Sequence, residues 1–489
     1  MIPDPTEGRT EGPTPFEFVC QSYLPPERVG PNSFDPHPLQ VEAINRRALN
    51  PNAGLWLDMG TGKTFVATWL GLFHLLTKGY PVVVIMPPVL ITQWARWLRS
   101  LRPQLGAAPI TVTEYRGTPV QRAQLSLHAT FVLVGIQIFK RDYPKFVESY
   151  AGRGFTLVVD EATTIANINT GNHEKVFDFS VGLPQIMLTG TPADPPSNAY
   201  ALLKFSAPGS YRNLKHFRNT HVDEVDLYKK VLSWKGLDDL AEKMKVNSER
   251  ILFSDMYKAD QEPLLSQVEY DLEPDHHRLY KKLADEQLLL LPDGGKVDAT
   301  TVQRLTHALG QIVVNQGHFS GNAADEASIF DYLDLKLEGL CTGKLVVYAH
   351  YQMTVQRIVE RYAKLGAVGY NGAVTDRNKE KNKQRFIEDP NCRVFVLQYA
   401  SGGLGLDGLQ WVCNHGVMVE PCRQAYVFRQ SIARLKRSGQ KYRVMIDIMT
   451  ARKTLQVRAF KDLLNNDDVA CRIIPNKTEL RRLIYGEQG

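Results

Sequence analysis

A short apolar stretch followed by a glycine-rich turn limits what this chain can fold into more than any other feature. Residues 55–57 predict the end of a buried strand, and Gly60 and Gly62 let the backbone turn sharply and approach an anion. A helical pattern begins at Lys63, and its first N–H groups, which lack partners inside the helix, would point at a bound phosphate. The stretch therefore predicts a phosphate-binding loop between a strand and a helix.

The side chains of this loop suit a nucleoside triphosphate. Lys63 would reach the β- and γ-phosphates, and the Thr64 hydroxyl would be a ligand for Mg²⁺. The strict motif has glycine where Leu57 stands, so an ordinary glycine-rich turn is the alternative, although Lys-Thr at a helix start argues against it. The residues predicted to contact the nucleotide here are Met59, Gly60, Thr61, Gly62, Lys63 and Thr64.

A pair of acidic residues follows a second apolar run. Residues 155–159 predict a buried strand that delivers Asp160 and Glu161 to its carboxyl end, where parallel sheets bind their ligands. Asp160 would hold Mg²⁺, usually through water, and Glu161 would orient and deprotonate the attacking water. Adjacent acids also arise by chance, but the phosphate loop upstream favours a catalytic role.

Strands and helices alternate around these motifs, which predicts βα units and a parallel sheet. Residues 185–188 predict a strand that ends at Thr189-Gly190-Thr191. Small hydroxyl residues there could sense the γ-phosphate by hydrogen bonding and so act in coupling, although a plain turn would look similar. Gln40 precedes the loop, where its amide could bind the edge of adenine; a surface glutamine is the alternative.

The totals admit several domains and a polyanionic partner. With 489 residues the chain is too long for one core. Its net charge of +6 permits a nucleic acid partner without demanding one. No apolar run is long enough to span a membrane and no signal sequence is evident, so the cytoplasm is the expected location. The 6 cysteines are scattered, which argues against a zinc site or a disulfide framework.

Changes in pattern divide the chain into an arm, two α/β domains and an insertion. The arm is rich in proline and glycine and is expected to be extended and partly disordered, but its Phe16, Phe18 and Tyr23 could dock on the first domain. The predicted parts are the arm at 1–36, the first α/β domain at 37–205, a mostly helical insertion at 206–335 and the second α/β domain at 336–489.

The second α/β domain carries two more candidate blocks. Residues 401–406 read Ser-Gly-Gly-Leu-Gly-Leu and follow a predicted strand. Residues 430–440 read Gln-Ser-Ile-Ala-Arg-Leu-Lys-Arg-Ser-Gly-Gln. Arg434 and Arg437 are three apart and would share one face of a helix.

In this order the blocks resemble those of the superfamily-two helicases, and most closely those of the Swi/Snf-type DNA translocases. The similarity runs from Gln40 to about Leu464. The block at 430–440 is the most diagnostic, because the family writes it Gln-x-x-x-Arg-x-x-Arg-x-Gly-Gln. The matching blocks are Asp58–Thr64, Val82–Trp94, Asp160–Asn167, Leu188–Pro192, Ser401–Leu406 and Gln430–Gln440.

The resemblance implies two RecA-like parallel-sheet domains in tandem, with ATP and Mg²⁺ bound between them. It implies that Gln40 contacts adenine, that Gly405 and Gln430 belong to the nucleotide site, and that the second domain supplies Arg434 and Arg437 as arginine fingers. The residues for which it implies sequence-independent contacts to the DNA backbone are Pro87, Gln137, Asn167, Ser401, Gly402 and Gly403.

The chain departs from the family pattern after the acidic pair. Thr163 stands where histidine is usual, and residues 164–166 lack the common basic side chains. The insertion is short and no chromatin-reading module is evident, which favours a compact bacterial, archaeal or phage form. The expected activity is a DNA-stimulated ATPase that moves along double-stranded DNA. A strand-separating DNA or RNA helicase, or an ATP-driven remodeller of a nucleic-acid-bound protein such as RNA polymerase, remain alternatives.

Overall fold

The computed structural model describes residues 12–26, 35–193, 195–225, 231–256, 263–286, 288–290, 296–298, 302–322, 327–399, 406–422, 425–437, 439–457 and 460. These residues form two compact units, of which unit 1 ends at Met256 and unit 2 follows it. Each unit is an α/β domain with its own parallel sheet. The predicted fold class, two parallel-sheet domains in tandem, is therefore confirmed.

Unit 1 alternates strands and helices along most of its length. Its strands are β1 (Tyr23–Leu24), β2 (Asn52–Leu57), β3 (Val82–Met86), β4 (Arg102–Pro103), β5 (Val112–Tyr115), β6 (Phe131–Gly135), β7 (Thr156–Asp160), β8 (Gln185–Leu188), β9 (Val222–Val225), β10 (Val231–Trp234) and β11 (Ser248–Ile251). Its helices are α1 (Pro15–Cys20), α2 (Pro38–Arg47), α3 (Lys63–Lys78), α4 (Ile91–Ser100), α5 (Pro119–Ala123), α6 (Ile136–Arg141), α7 (Tyr143–Tyr150), α8 (Gly171–Ser180), α9 (Ser197–Ser206), α10 (Leu214–His221), α11 (Leu237–Lys245) and α12 (Phe253–Met256).

The main sheet of unit 1 is parallel throughout, in the order β11-β2-β8-β7-β3-β6-β5. Strands β3, β6 and β7 are buried along their whole length, as expected of central parallel strands that are covered on both faces. Because all strands run the same way, the carboxyl ends of β2, β7 and β8 meet at one edge of the sheet.

The arm at the start of the chain packs on unit 1 in its described part. The Phe16 ring stacks on Trp69 with centroids 6.2 Å apart, and Phe18 meets Phe73 edge-on at 5.9 Å. Tyr23 is buried in β1, which pairs with β4. The prediction that these aromatic residues could dock on the first domain is confirmed, and residues 12–26 contain helix α1 and strand β1.

Unit 2 follows the same plan. Its strands are β12 (Leu264–Tyr270), β13 (Leu288–Leu290), β14 (Lys296–Asp298), β15 (Leu345–Ala349), β16 (Val368–Tyr370), β17 (Val394–Gln398), β18 (His415–Met418) and β19 (Met445–Ala451). Its helices are α13 (Pro274–Glu286), α14 (Val302–Ile312), α15 (Gln316–Ser320), α16 (Ile329–Gly339), α17 (Gln352–Arg361), α18 (Asp376–Glu388) and α19 (Ala425–Ile432).

The main sheet of unit 2 is also parallel, in the order β12-β19-β18-β15-β17-β16. Alternate residues of one strand enter separate apolar clusters: Val347 lies in one and Val346 with Tyr348 in the other. This is the two-residue period of a strand whose two faces are both buried.

The region predicted as a helical insertion differs most from expectation. Strand β11 extends the sheet of unit 1 beside β2, and β12 pairs with β19 in unit 2. Within the predicted insertion, residues 222–225 and 231–234 form β9 and β10 instead of helices, although α11 and α13 lie in the same region. Strands β11 and β12 are edge strands that carry polar residues, so they lack the continuous apolar run that reveals the central strands.

None of the helices in the described part of the chain combines the length and the apolar character that crossing a membrane requires.

Candidate nucleotide site

The loop between β2 and α3 has the backbone that its glycines predict. Gly60 and Gly62 have φ angles of 81° and 83°, in the left-handed region that favours glycine. Gly62 is the N-cap residue of α3, and a Cβ atom there would lie 2.2 Å from Nε2 of Gln40. The backbone conformation therefore favours glycine at position 62, and a larger residue there would also displace the Gln40 amide.

Lys63 begins α3, and its ammonium group turns back over the loop. Its Nζ donates to the carbonyl oxygens of Leu57 and Asp58, at 3.0 and 3.3 Å. Burial raises the pKa of Asp160, and the positive charge of Lys63 opposes that rise. The charge of Lys63 in the phosphate loop therefore acts on the acidic pair, two features that the sequence predicts separately. Thr64 follows Lys63 in the same helix.

Gln40 is 4% exposed, which excludes the surface alternative. Its Nε2 donates to the Thr61 carbonyl at 2.8 Å, and its Oε1 accepts the His37 N–H at 2.9 Å. Gln40 therefore ties the start of α2 to the phosphate loop. Its contact with adenine stays a prediction.

Asp160 ends β7 and is 6% exposed. Its Oδ2 accepts the indole N–H of Trp94 at 2.8 Å, and its Oδ1 accepts the backbone N–H of Glu161 at 2.9 Å. Burial raises the pKa of Asp160, and the bond from Trp94 and the charge of Lys63 oppose this rise. Trp94 therefore orients the carboxylate, a contact for which the sequence holds no signal beyond the place of Trp94 in the block Val82–Trp94.

Glu161 has a φ angle of 51°, which is unusual for a residue other than glycine. Such a backbone costs free energy and is retained mostly where a side chain must be aimed. The turn after it, Ala162–Ile165, contains Thr163 at the position where the family usually has histidine.

The predicted coupling residues lie beside the phosphate loop. Thr189 and Thr191 are buried, and the Thr191 N–H donates to Oγ1 of Thr189 at 3.1 Å. A Cβ atom on Gly190 would lie 3.4 Å from the Leu57 carbonyl oxygen and 3.8 Å from Nζ of Lys63. Strand order thus brings this segment into contact with the loop, since β8 lies next to β2.

The predicted DNA-contacting residues of unit 1 follow strands of the same sheet. Pro87 comes directly after β3 and is buried, whereas Gln137 in α6 and Asn167 after β7 are exposed. Asn167 accepts at its Oδ1 the Asn169 N–H, at 3.0 Å. They occupy one edge of the sheet because the strands are parallel; their contact with DNA stays a prediction.

In unit 2, Arg434 and Arg437 converge on one carbonyl oxygen. Arg434 Nη1 lies 3.2 Å and Arg437 Nη1 3.3 Å from the Leu406 oxygen. The prediction that Arg434 and Arg437 share one face of a helix is wrong. Helix α19 ends at Ile432, and the two arginines lie in the turn after it. The Arg434 N–H bonds to the Ser431 carbonyl, three residues back, which tightens the chain.

Asp407 is a residue that the motif analysis missed. Its Oδ1 accepts from Arg437 Nη1 at 3.1 Å. Burial opposes its ionisation, but Arg437, Gln410 and the Gly408 N–H together hold the pKa of Asp407 below its usual value. Gln430, in α19, is buried. The predicted site residues Ser401, Gly402, Gly403 and Gly405 lie outside the described residues.

Unit 2 also contains a buried carboxyl group with a testable pH dependence. Glu420 accepts at Oε1 the Thr354 hydroxyl at 2.6 Å, and at Oε2 the His350 and Tyr351 N–H groups at 2.6 and 3.1 Å. Burial raises the pKa of Glu420 from 4.5 to about 7 despite these bonds. The raised pKa favours the folded state while the carboxyl is protonated, and that contribution is lost as pH rises from about 4.5 to about 7.

We therefore expect Glu420→Gln to flatten the pH dependence of unfolding. Urea denaturation at pH 5 and pH 8 should show wild type losing stability relative to the variant by at most about 3 kcal/mol. Parallel behaviour of the two proteins would show that the Glu420 carboxyl has the same pKa folded and unfolded.

A phosphate loop at the carboxyl edge of a parallel sheet, with an acidic pair ending a nearby strand, defines a phosphate-loop nucleotide-binding protein. The model of the SNF2-related domain matches residues 43–316, more than half of the chain. The chain belongs to the SNF2-related family, and this membership implies the use of ATP.

The curated relatives are similar at a modest level. The human "DNA annealing helicase and endonuclease ZRANB3" is 22% identical over 81% of this chain and 36% of that protein. The Saccharomyces cerevisiae "DNA repair and recombination protein RAD54" is 20% identical over 96% of this chain and 59% of its own. This chain therefore spans less than two thirds of the length of either relative.

One solved structure aligns along most of the chain. It is the SWI2/SNF2 ATPase core of Sulfolobus solfataricus in complex with double-stranded DNA, which covers 94% of this chain and 99% of that chain at 17% identity and a TM-score of 0.40.

Proposed function

We propose that this protein is a DNA-stimulated ATPase of the Swi/Snf type that moves along double-stranded DNA. The observation that carries the proposal is the meeting of Lys63, Asp160 and Gly190 at one edge of the unit 1 sheet. Family membership supports ATP as the substrate. The names of the relatives, an annealing helicase and a recombination protein, support DNA as the partner.

The residues of unit 1 have distinct parts in hydrolysis. Lys63 would leave the carbonyl oxygens of Leu57 and Asp58 and bind phosphate oxygens, because the negatively charged phosphates attract its ammonium group more strongly than neutral carbonyl groups do. Glu161 would orient the attacking water and accept its proton, and its strained backbone would aim the carboxylate. The N–H groups at the start of α3 would bind the phosphates without any change of shape.

Mg²⁺ fits the oxygen donors at this site. Thr64 and Asp160 would hold it, and when bound it would neutralise charge on the phosphates. Burial raises the pKa of Asp160, and a divalent cation would favour the ionised form. The Trp94 indole would keep that carboxylate in its orientation.

Arg434 and Arg437 would stabilise the charge that develops on the transferring phosphoryl group. Their convergence on the Leu406 carbonyl supports joint action, because one small movement of that segment would release or reposition both. Hydrolysis would then depend on Arg434 and Arg437, and their repositioning would link chemistry to movement along DNA.

The proposal is tested by ATPase assays and by triplex displacement. We expect steady-state turnover to rise most with duplex DNA, less with single strands and least with RNA. With ATP, the protein should displace a third strand from a triplex while leaving the duplex paired. Stimulation by RNA alone, or release of separated DNA strands, would favour the helicase alternatives. Turnover indifferent to every nucleic acid would contradict the proposal.

A further inference from the structure

Arg250 connects two parts of the candidate site from outside every recognised motif. It lies in the edge strand β11, and its Nη2 is 2.9 Å from Oδ1 of Asp58 at the start of the phosphate loop. Its Nη1 donates to the carbonyl oxygens of Gly190, at 3.3 Å, and of Trp56. One guanidinium group therefore holds β2, the phosphate loop and the coupling segment together.

The surroundings of Asp58 show why this connection matters. Its second oxygen, Oδ2, accepts the Phe253 N–H at 3.2 Å, so Arg250 and Phe253 together bind both oxygens of the Asp58 carboxylate. Lys63 Nζ donates to the Asp58 carbonyl oxygen and lies close to Gly190. Arg250 and Lys63 thus both hydrogen-bond to the backbone of residues 56–58. This stretch would be the first to shift when Lys63 moves to a phosphate.

We propose that Arg250 is a positioning residue that balances the charge of the Asp58 carboxylate and holds Gly190 in place beside the phosphate loop. A movement of the loop when nucleotide binds at Lys63 is thereby transmitted to Thr189 and Thr191. This inference rests on the proposed ATPase function. The planar guanidinium is suited to the task because it donates in several fixed directions at once, whereas an ammonium group is a single point charge.

The two effects of Arg250 fall on different kinetic constants. Without it, the Asp58 carboxylate would repel the triphosphate and raise KM. Loss of the bond to Gly190 would misplace the coupling segment and lower kcat, by about 10²-fold if the displacement is near 1 Å. A residue that merely supports the fold would reduce the amount of active enzyme and leave KM unchanged.

The experiment compares Arg250→Ala, Arg250→Lys and the double variant Arg250→Ala/Asp58→Asn in the full chain, with thermal unfolding recorded for each. Arg250→Ala should raise KM for ATP and lower kcat. Arg250→Lys, which restores the charge, and the double variant, which removes the unpaired carboxylate, should both return KM towards wild type while kcat stays low. Arg99→Ala, which breaks an exposed arginine–carboxylate pair at 2.8 Å to Glu114, is the matched control and should change neither constant.

Each outcome has a distinct meaning. Normal kcat and KM in folded Arg250→Ala, beside an active wild type, would overturn this inference alone. Equal loss of kcat in all three variants with an unchanged KM would also overturn it, since that is the result of a structural role. Absence of ATPase activity in wild type would overturn the proposed function and this inference together.

Discussion

Lys63→Ala should reduce kcat/KM for ATP by about 10²- to 10³-fold, because it removes the ammonium group that lies over the phosphate loop on the Leu57 and Asp58 carbonyl oxygens. The loss should include weaker nucleotide binding, since Lys63 would contact the phosphates in the ground state as well as during transfer. Steady-state ATPase kinetics and titration with a fluorescent ATP analogue measure the two parts separately.

Two variants make the Lys63 result specific. Glu161→Gln should lose hydrolysis to a similar extent but keep nucleotide affinity, because an amide still hydrogen-bonds water and cannot accept its proton. Lys78→Ala removes an exposed lysine at the other end of α3 and should behave as wild type. Wild-type turnover in Lys63→Ala would show that ATP is not bound at this loop.

Arg434→Ala should lower kcat by about 10³- to 10⁵-fold while nucleotide affinity changes little, because an arginine finger acts on charge that is present mainly in the transition state. Single-turnover hydrolysis with saturating duplex DNA measures the chemical step directly. Arg434 is 3% exposed, so thermal unfolding must accompany the assay.

Two further variants separate charge from folding at this position. Arg434→Lys keeps a cation and the packing of the side-chain stem, so it should fold as wild type and still lose most of the rate, since it lacks the forked geometry. Arg377→Ala removes an exposed arginine of α18 in the same unit and is the charge-matched control. A normal rate in folded Arg434→Lys and Arg434→Ala would remove the finger from the mechanism.

The motifs of unit 1 could be predicted because each has a local physical signature. Gly60 and Gly62 are needed for their backbone angles, and Asp160 follows a strand so apolar that it had to be central. The βα pattern predicts a parallel sheet, whose strands all end at one edge. The observed order, with β8 between β2 and β7, brings the phosphate loop, the acidic pair and Gly190 together there.

The contacts between distant segments could not be predicted in this way. Trp94 bonds Asp160 across 66 positions, and Arg250 bonds Asp58 across 192, so no spacing rule relates either pair. Strand β11 could not be predicted, because the sequence of a polar edge strand resembles that of a loop. No proline or glycine marks the end of α19 before Arg434, so the predicted helix continues past the observed end at Ile432.

We propose that hydrolysis of ATP uses Arg434 in addition to Lys63 and Glu161. The most direct test measures how much more tightly the protein binds ADP with aluminium fluoride, a mimic of the transferring phosphoryl group, than a non-hydrolysable ATP analogue, in wild type and in Arg434→Ala. We predict that wild type prefers the mimic and that Arg434→Ala loses the preference while it binds the analogue normally. An undiminished preference in Arg434→Ala would contradict the claim.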